Sequence, residues 1–158
     1  MRIGITGHMN LTPATCELVR VELEKLLAGH DHLVGYSCFA EGADSLFAQA
    51  VLDAGGRLVA LLPAPDYRDT RVSEAHLPVF DALVDAADEV RYVAESSSMA
   101  AYDAANAQML DEVDAMIAVW DGQPSPEWKT GGTADAVKAA KERGVPVTVV
   151  WPEGAERS

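Results

Sequence analysis

The segment RIGITGHMNLTP, residues 2–13, contains the pattern that decides the fold. Its first five residues form a short, mostly apolar run that is typical of a buried strand, and Gly7 follows soon after. Thr12 and Pro13 then supply a hydroxyl N-cap and a proline at the first helical position. The segment therefore predicts a strand, a glycine turn and a helix in direct succession.

The same succession recurs along the chain. Five further β-rich runs are LVGYS from Leu33, RLVALL from Arg57, EVRYV from Glu89, AMIAVW from Ala115 and PVTVVW from Pro146. Helical periodicity lies between them, at about residues 13–28, 43–54, 76–86, 99–113 and 133–143. This alternation predicts an α/β, Rossmann-like, doubly wound fold with a mainly parallel sheet of about six strands and helices on both faces. No low-complexity linker divides the sequence, so we expect a single domain over residues 1–158.

Composition limits the classes of partner that we expect. The 158 residues are 49% hydrophobic and carry a formal net charge of −13, and the 12 Lys and Arg residues are scattered. Nucleic-acid affinity rests largely on clustered basic residues, so we expect no nucleic-acid partner.

Cys16 and Cys38 have no metal or redox spacing, and we expect no metal site. With no signal-peptide pattern and no membrane-spanning run, we expect a cytoplasmic protein without a membrane partner.

Three junctions after predicted strands share glycines and polar residues. Because parallel strands end at one edge of a sheet, these junctions would form one pocket. Glycine allows close approach to the backbone, and a helix N-terminus offers free N–H donors, which together suit a phosphate. Each glycine alone could instead serve only a tight turn. The candidate ligand-binding residues from these junctions are Gly7, His8, Gly42, Asp44, Asp121, Gly131, Gly132 and Thr133.

Two further candidates come from other segments. Arg68 follows the third strand and would reach over the sheet edge to a phosphate, although a surface pair with Asp66 or Asp69 is the alternative. Asn106 shares a helix face with Tyr102 at a spacing of four and would project into the cleft. His8 would donate to a phosphate, act as an acid or base, or simply cap its turn.

Several motifs together resemble the SLOG superfamily, the Rossmann-like group that includes DprA/Smf, LOG and YpsA-like proteins. They are GITGH from Gly4, AEGAD from Ala40, LLP from Leu61 and NAQMLDEVDAMIAVWDG from Asn106, followed by GGT and AAKERGVPV. The resemblance implies a nucleotide-binding protein that forms homo-oligomers. It also implies that Gly131, Gly132 and Thr133 hold a phosphate. Gly7, Gly42 and Asp44 would line the rest of the cleft, with Asp121 near a sugar hydroxyl.

The chain departs from the catalytic pattern of the LOG enzymes, which cleave a nucleoside monophosphate with a glutamate and an arginine. The matching positions are Ala136 and Ala105, neither of which has an ionisable group. Asp135 is one residue early, and one residue turns a helical side chain by about 100°. The resemblance therefore implies a phosphate-binding loop without the known catalytic pair, and we assign no catalytic residue.

Three hypotheses follow, and a nucleotide is the expected ligand, with no certain cofactor. The first is a module that binds or senses a nucleotide or a related phosphorylated molecule. The alternative is a nucleotide-processing hydrolase with a non-standard carboxylate, supplied by one of Glu41, Asp44, Asp121 and Asp135. The second alternative is a structural or regulatory module that uses the fold to dimerise.

Overall fold

Six parallel strands form one sheet in the computed structural model, which describes residues 1–125 and 132–158. The order across the sheet is β4-β3-β2-β1-β5-β6. The chain therefore adds strands outward from β1 to β4 and then crosses back to the other side of β1. The strands are β1 (Arg2–Gly7), β2 (Val34–Ser37), β3 (Arg57–Leu62), β4 (Glu89–Tyr92), β5 (Ala115–Val119) and β6 (Val147–Val150).

The helices connect these strands, and the predicted doubly wound fold is confirmed. They are α1 (Pro13–Leu27), α2 (Ala43–Asp53), α3 (Tyr67–Arg71), α4 (Leu77–Ala86), α5 (Met99–Glu112) and α6 (Thr133–Glu142). The predicted cap of α1 is present, because Thr12 Oγ1 accepts a hydrogen bond from the Thr15 N–H at 3.2 Å. Only the short α3 was not predicted, since its sequence has too few turns to show helical periodicity.

The sheet has a hydrophobic core on each face. Alternate residues of β3 show this, because Leu58 and Ala60 pack with α1, α2 and α4 whereas Val59 and Leu61 pack with α5 and α6. Side chains alternate across a strand, so a strand covered on both faces needs apolar residues at nearly every position. This is the physical reason for the continuous apolar run in RLVALL.

The turn after β1 and the start of α2 are in very close contact. A Cβ atom at Gly7 would lie 2.4 Å from the Ala43 Cβ. Gly42 has φ of +82°, and a Cβ there would lie 2.6 Å from the His8 carbonyl oxygen and 2.7 Å from that of Met9. Both glycines are therefore required for packing between two segments of the protein.

No helix in residues 1–125 or 132–158 is both long and apolar enough to cross a bilayer.

We predict that Gly42→Ala destabilises the protein by more than Gly29→Ala. Both glycines have positive φ, +82° and +78°, but nothing lies within 4 Å of a Cβ at Gly29. Gly29→Ala should therefore cost about 1 kcal/mol of unfolding free energy for its backbone conformation alone. Gly42→Ala adds the collision with two backbone carbonyls and should cost at least about 2 kcal/mol more. Urea denaturation measures both, and equal losses would contradict the packing role of Gly42.

Candidate functional site

A cavity of about 580 Å³ opens at the carboxyl ends of β1, β2 and β5. The strand order reverses between β1 and β5, and this crevice is where open α/β sheets usually bind ligands. Segments from six places line the cavity: residues 5–10, the start of α2 with residues 38 and 40, one face of α5, residues 120 and 123–125, the start of α6, and Arg157. The location follows from the topology, since these segments all follow or flank the central strands.

The structure brings six of the ten candidate residues together in the lining of this cavity. They are Gly7, His8, Asp44, Asn106, Gly132 and Thr133. Gly42 supports the cavity wall through its contact with the turn after β1 but does not line it. Gly131 lies outside the described residues.

His8 joins the turn after β1 to the loop after β5. Its Nε2 accepts a hydrogen bond from the Asp121 N–H at 3.1 Å and lies 3.2 Å from Asp121 Oδ1. The ring also contacts Trp151 edge-on, with centroids 5.7 Å apart. His8 is 8% exposed, so it lines the cavity as a fixed group rather than as a mobile surface side chain.

Asp121 does not line the cavity, although the sequence placed it next to the ligand. Burial acts to raise the pKa of Asp121, but the Gln123 N–H, His8 and Arg157 together lower it below its usual value. Oδ1 accepts the Gln123 N–H at 3.0 Å, and Oδ2 lies 3.6 Å from Arg157 Nη1. The carboxylate therefore stabilises the loop after β5 and orients neighbouring side chains.

Asp44 is the acidic side chain that lines the cavity within the described part of the chain. It lies in the first turn of α2, where the helix dipole favours a negative charge. Burial nevertheless raises the pKa of Asp44 to about 7, against the lowering effect of a hydrogen bond from the Ala40 backbone. Near neutral pH this carboxyl group can therefore both accept and donate hydrogen bonds inside the cavity.

Arg68 lies away from the cavity, contrary to the prediction for this cation. The unpredicted helix α3 directs it toward α4, where Nε and Nη2 donate to the two carboxylate oxygens of Asp81 at 2.7 and 2.8 Å. It lines a separate depression with Phe80 and Tyr92. The alternative of a surface ion pair is what the structure shows, with Asp81 and Asp69 as partners.

Arg157 is a cavity residue that sequence reasoning missed. It follows β6, and the chain from residue 152 onward returns to the turn after β1. Leu11 and Arg157 form an antiparallel bridge, and the Ser158 N–H donates to the Asn10 carbonyl at 3.0 Å. The predicted strand β6 could have indicated this residue, because a sixth parallel strand also ends at this edge of the sheet.

In residues 1–125 and 132–158, no three His, Cys, Asp or Glu side chains are grouped as ligands for a metal ion. The Asp, Glu, Lys and Arg side chains in the cavity lining, within this part of the chain, are Asp44 and Arg157.

No protein-family model matches the sequence, and no curated protein matches it. Solved structures do match. DprA from Streptococcus pneumoniae is 18% identical with a TM-score of 0.68, over 97% of this chain and 51% of that protein. DprA from Helicobacter pylori is 17% identical with a TM-score of 0.68, over 100% of this chain and 68% of the other. The Moco carrier protein from Chlamydomonas reinhardtii is 23% identical with a TM-score of 0.61, over 96% of this chain and 78% of that protein.

These similarities establish the fold. DprA is one of the proteins of the group that the motifs resemble, so the resemblance is confirmed at the level of the fold. The chain spans about half of the length of the S. pneumoniae protein. A Rossmann-like α/β module is the class of protein that the fold and these neighbours define.

The expectation of no nucleic-acid partner is wrong. The H. pylori DprA structure is described as revealing a single-stranded DNA binding mode, so a protein with this fold can bind nucleic acid. The expectation relied on a net charge of −13, which sums over the whole surface. The potential in a groove depends instead on the charges near it, so net charge does not exclude such a partner.

We predict that Asp44→Asn gains stability relative to the wild type as pH rises. The folded-state pKa of about 7 exceeds the usual value of 3.8, so the folded state holds this proton more tightly. The contribution of Asp44 to stability is therefore full below about pH 4 and is lost as pH rises to about 7. The melting-temperature difference between variant and wild type should be at least about 3 °C more positive at pH 8 than at pH 5.

Asp53→Asn is the matched control, because Asp53 is exposed at the other end of the same helix. Its melting-temperature difference from the wild type should be the same at both pH values. If the melting-temperature difference of Asp44→Asn is also the same at both pH values, the carboxyl group in the cavity does not titrate near neutral pH.

Proposed function

We propose that this chain binds a nucleotide or another phosphorylated small molecule in the cavity between β1 and β5. The observation that carries the proposal is the meeting of a helix start, an arginine and an apolar wall in one cavity of about 580 Å³. Small-molecule sites usually have volumes of about 300–1,000 Å³ with few polar groups placed among apolar ones. The Moco carrier protein, which shares the fold, is named for binding a small-molecule cofactor.

The start of α6 would bind the phosphate. The first N–H groups of a helix have no partner within the helix, and they carry a partial positive charge. Thr12 and Ser98 cap α1 and α5 with their side chains, whereas no described side chain caps α6 or the helices α2, α3 and α4. Gly132 and Thr133 line the cavity, so the N–H groups of this helix start adjoin the ligand space.

The apolar wall would accommodate the base or another ring. Met99, Tyr102 and Trp120 line the cavity, and the indole of Trp120 is held by a hydrogen bond from Nε1 to the Gln123 carbonyl at 2.9 Å. Met99 is 54% exposed and so presents apolar surface at the opening of the cavity. An aromatic or sulfur-containing surface of this kind suits a planar ring.

Binding is better supported than bond cleavage. The positions of the LOG catalytic pair, Ala105 and Ala136, have no ionisable group and do not line the cavity. Of the four carboxylates considered for the hydrolase alternative, Glu41 and Asp135 are exposed and only Asp44 lines the cavity. Any hydrolase activity would therefore depend on Asp44. The homo-oligomer, the single domain over residues 1–158 and the cytoplasmic location stay predictions.

The test is a thermal-shift panel with the four common nucleosides and their mono-, di- and triphosphates. A ligand that binds only the folded state should raise the melting temperature by about 5 °C or more at 100-fold above Kd. We expect shifts with the phosphorylated forms and smaller ones with nucleosides. A labelled oligothymidine, followed by anisotropy, tests single-stranded DNA. DNA binding without any nucleotide shift would contradict the proposal, and so would no binding at all.

We predict that Gly132→Asp weakens nucleotide binding by about tenfold or more. A Cβ at Gly132 would lie 2.4 Å from Ser125 Oγ, so the Ser125 side chain has to move to accommodate the new residue. Asp is a favourable N-cap, so its carboxylate should satisfy the helix start and occupy the phosphate position. Lys138→Gln is the control, because it makes the same change in net charge on the exposed face of α6. Calorimetric titration compares the two variants. Unchanged affinity in Gly132→Asp would mean that the start of α6 does not bind the phosphate.

Chromatography of the nucleotides after long incubation separates binding from cleavage. We expect intact nucleotide. Release of free base that is lost in Asp44→Asn would instead support the hydrolase alternative.

A further inference from the structure

The cavity has a single Lys or Arg side chain in its lining across residues 1–125 and 132–158, and that residue is Arg157. Arg68 is paired with Asp81 in a separate depression. A chain with a net charge of −13 repels anions at long range, so an anionic ligand depends on positive potential close to the cavity. Among the described residues, Arg157 is therefore the cation in the cavity lining from which this potential can come.

The backbone around Arg157 is fixed to the start of the chain by several hydrogen bonds. The Glu156 N–H donates to Thr15 Oγ1 at 2.7 Å, and the Glu156 carbonyl accepts the Thr12 N–H at 3.3 Å. Asn10 Nδ2 donates to the Ser158 carbonyl at 3.1 Å. These contacts hold the segment after β6 against the turn after β1, which lines the cavity.

The guanidinium group is oriented by Asn10 and retains donors for a ligand. Nε and Nη2 both donate to Asn10 Oδ1, at 3.0 and 2.9 Å. Nη1 lies 3.6 Å from Asp121 Oδ2, which is beyond good hydrogen-bond distance. An arginine has five N–H donors, so those on Nη1 and one on Nη2 can pair with an anion.

We propose that Arg157 binds the phosphate group of the ligand and that Asn10 is its positioning residue. The proposal rests on the proposed function and identifies which side chain supplies the charge. The ligand class is a phosphate monoester or pyrophosphate, because planar guanidinium donors match phosphate oxygens in pairs. The segment after β6 is thus part of the binding site and lies beside the turn after β1.

The test compares Arg157→Gln with wild type by calorimetric titration. The probes are the nucleoside 5′-monophosphate that binds most tightly in the panel, its unphosphorylated nucleoside, and inorganic pyrophosphate. Arg157→Gln should weaken the two phosphorylated probes by about 10-fold to 100-fold. Nucleoside affinity should not change, whereas a general loss of structure would lower it as well. Arg157→Lys should retain part of the affinity, because it keeps the charge but loses the planar donors.

Arg57→Gln is the matched control. Arg57 is an exposed arginine whose Nε lies 3.8 Å from Asp88 Oδ1, and it begins β3 at the opposite edge of the sheet. It should leave all three affinities unchanged. Asn10→Ala should weaken the phosphorylated probes less than Arg157→Gln does, and should have no further effect in the Arg157→Gln background.

The possible failures are distinguishable. Equal affinity of Arg157→Gln and wild type for the monophosphate and pyrophosphate would overturn the assignment of Arg157 and leave the proposed function intact. A wild-type protein that binds neither phosphorylated probe would overturn both. An equal loss of nucleoside and nucleotide affinity would show a structural role and would also overturn the assignment.

Discussion

The close contact between the turn after β1 and the start of α2 determines the geometry of the cavity. The Ala43 N–H donates to the His8 carbonyl at 3.2 Å, and there is no space for a side chain at Gly7 or Gly42. Because α2 approaches β1 this closely, Asp44 in its first turn faces the same space as the residues after Gly7. Separation of these two segments would move one wall of the cavity away from the other and leave the ligand space open to solvent.

The electrostatics of the site depend on local groups rather than on the total charge. The chain carries −13, yet the described cavity lining contains one acid, Asp44, whose pKa is raised by burial to about 7. Asp121 contacts His8 and a loop N–H instead of facing the cavity. Protonation of Asp44 would leave Arg157 and the start of α6 as the dominant charges near a ligand, which favours an anion.

The sequence predicted the fold well because periodicity depends on neighbouring residues, whereas much of the site depends on distant pairs. The strand and helix positions and the sheet edge that holds the cavity followed from local patterns. Whether a given cation faces the cavity did not follow from local patterns. Asp81, 13 residues away, binds Arg68 elsewhere, and Asn10, 147 residues away, holds Arg157 in place. No local pattern encodes such pairings, so they appear only when the chain is folded.

The attachment of residues 156–158 to residues 10–15 has a consequence for the order of folding. Closing a loop of this length costs conformational entropy before any contact compensates for it, so such contacts tend to form late. During synthesis Arg157 leaves the ribosome after all six strands, because it follows β6. The contacts between residues 156–158 and residues 10–15 would therefore be among the last to form, and the cavity would gain Arg157 only with them.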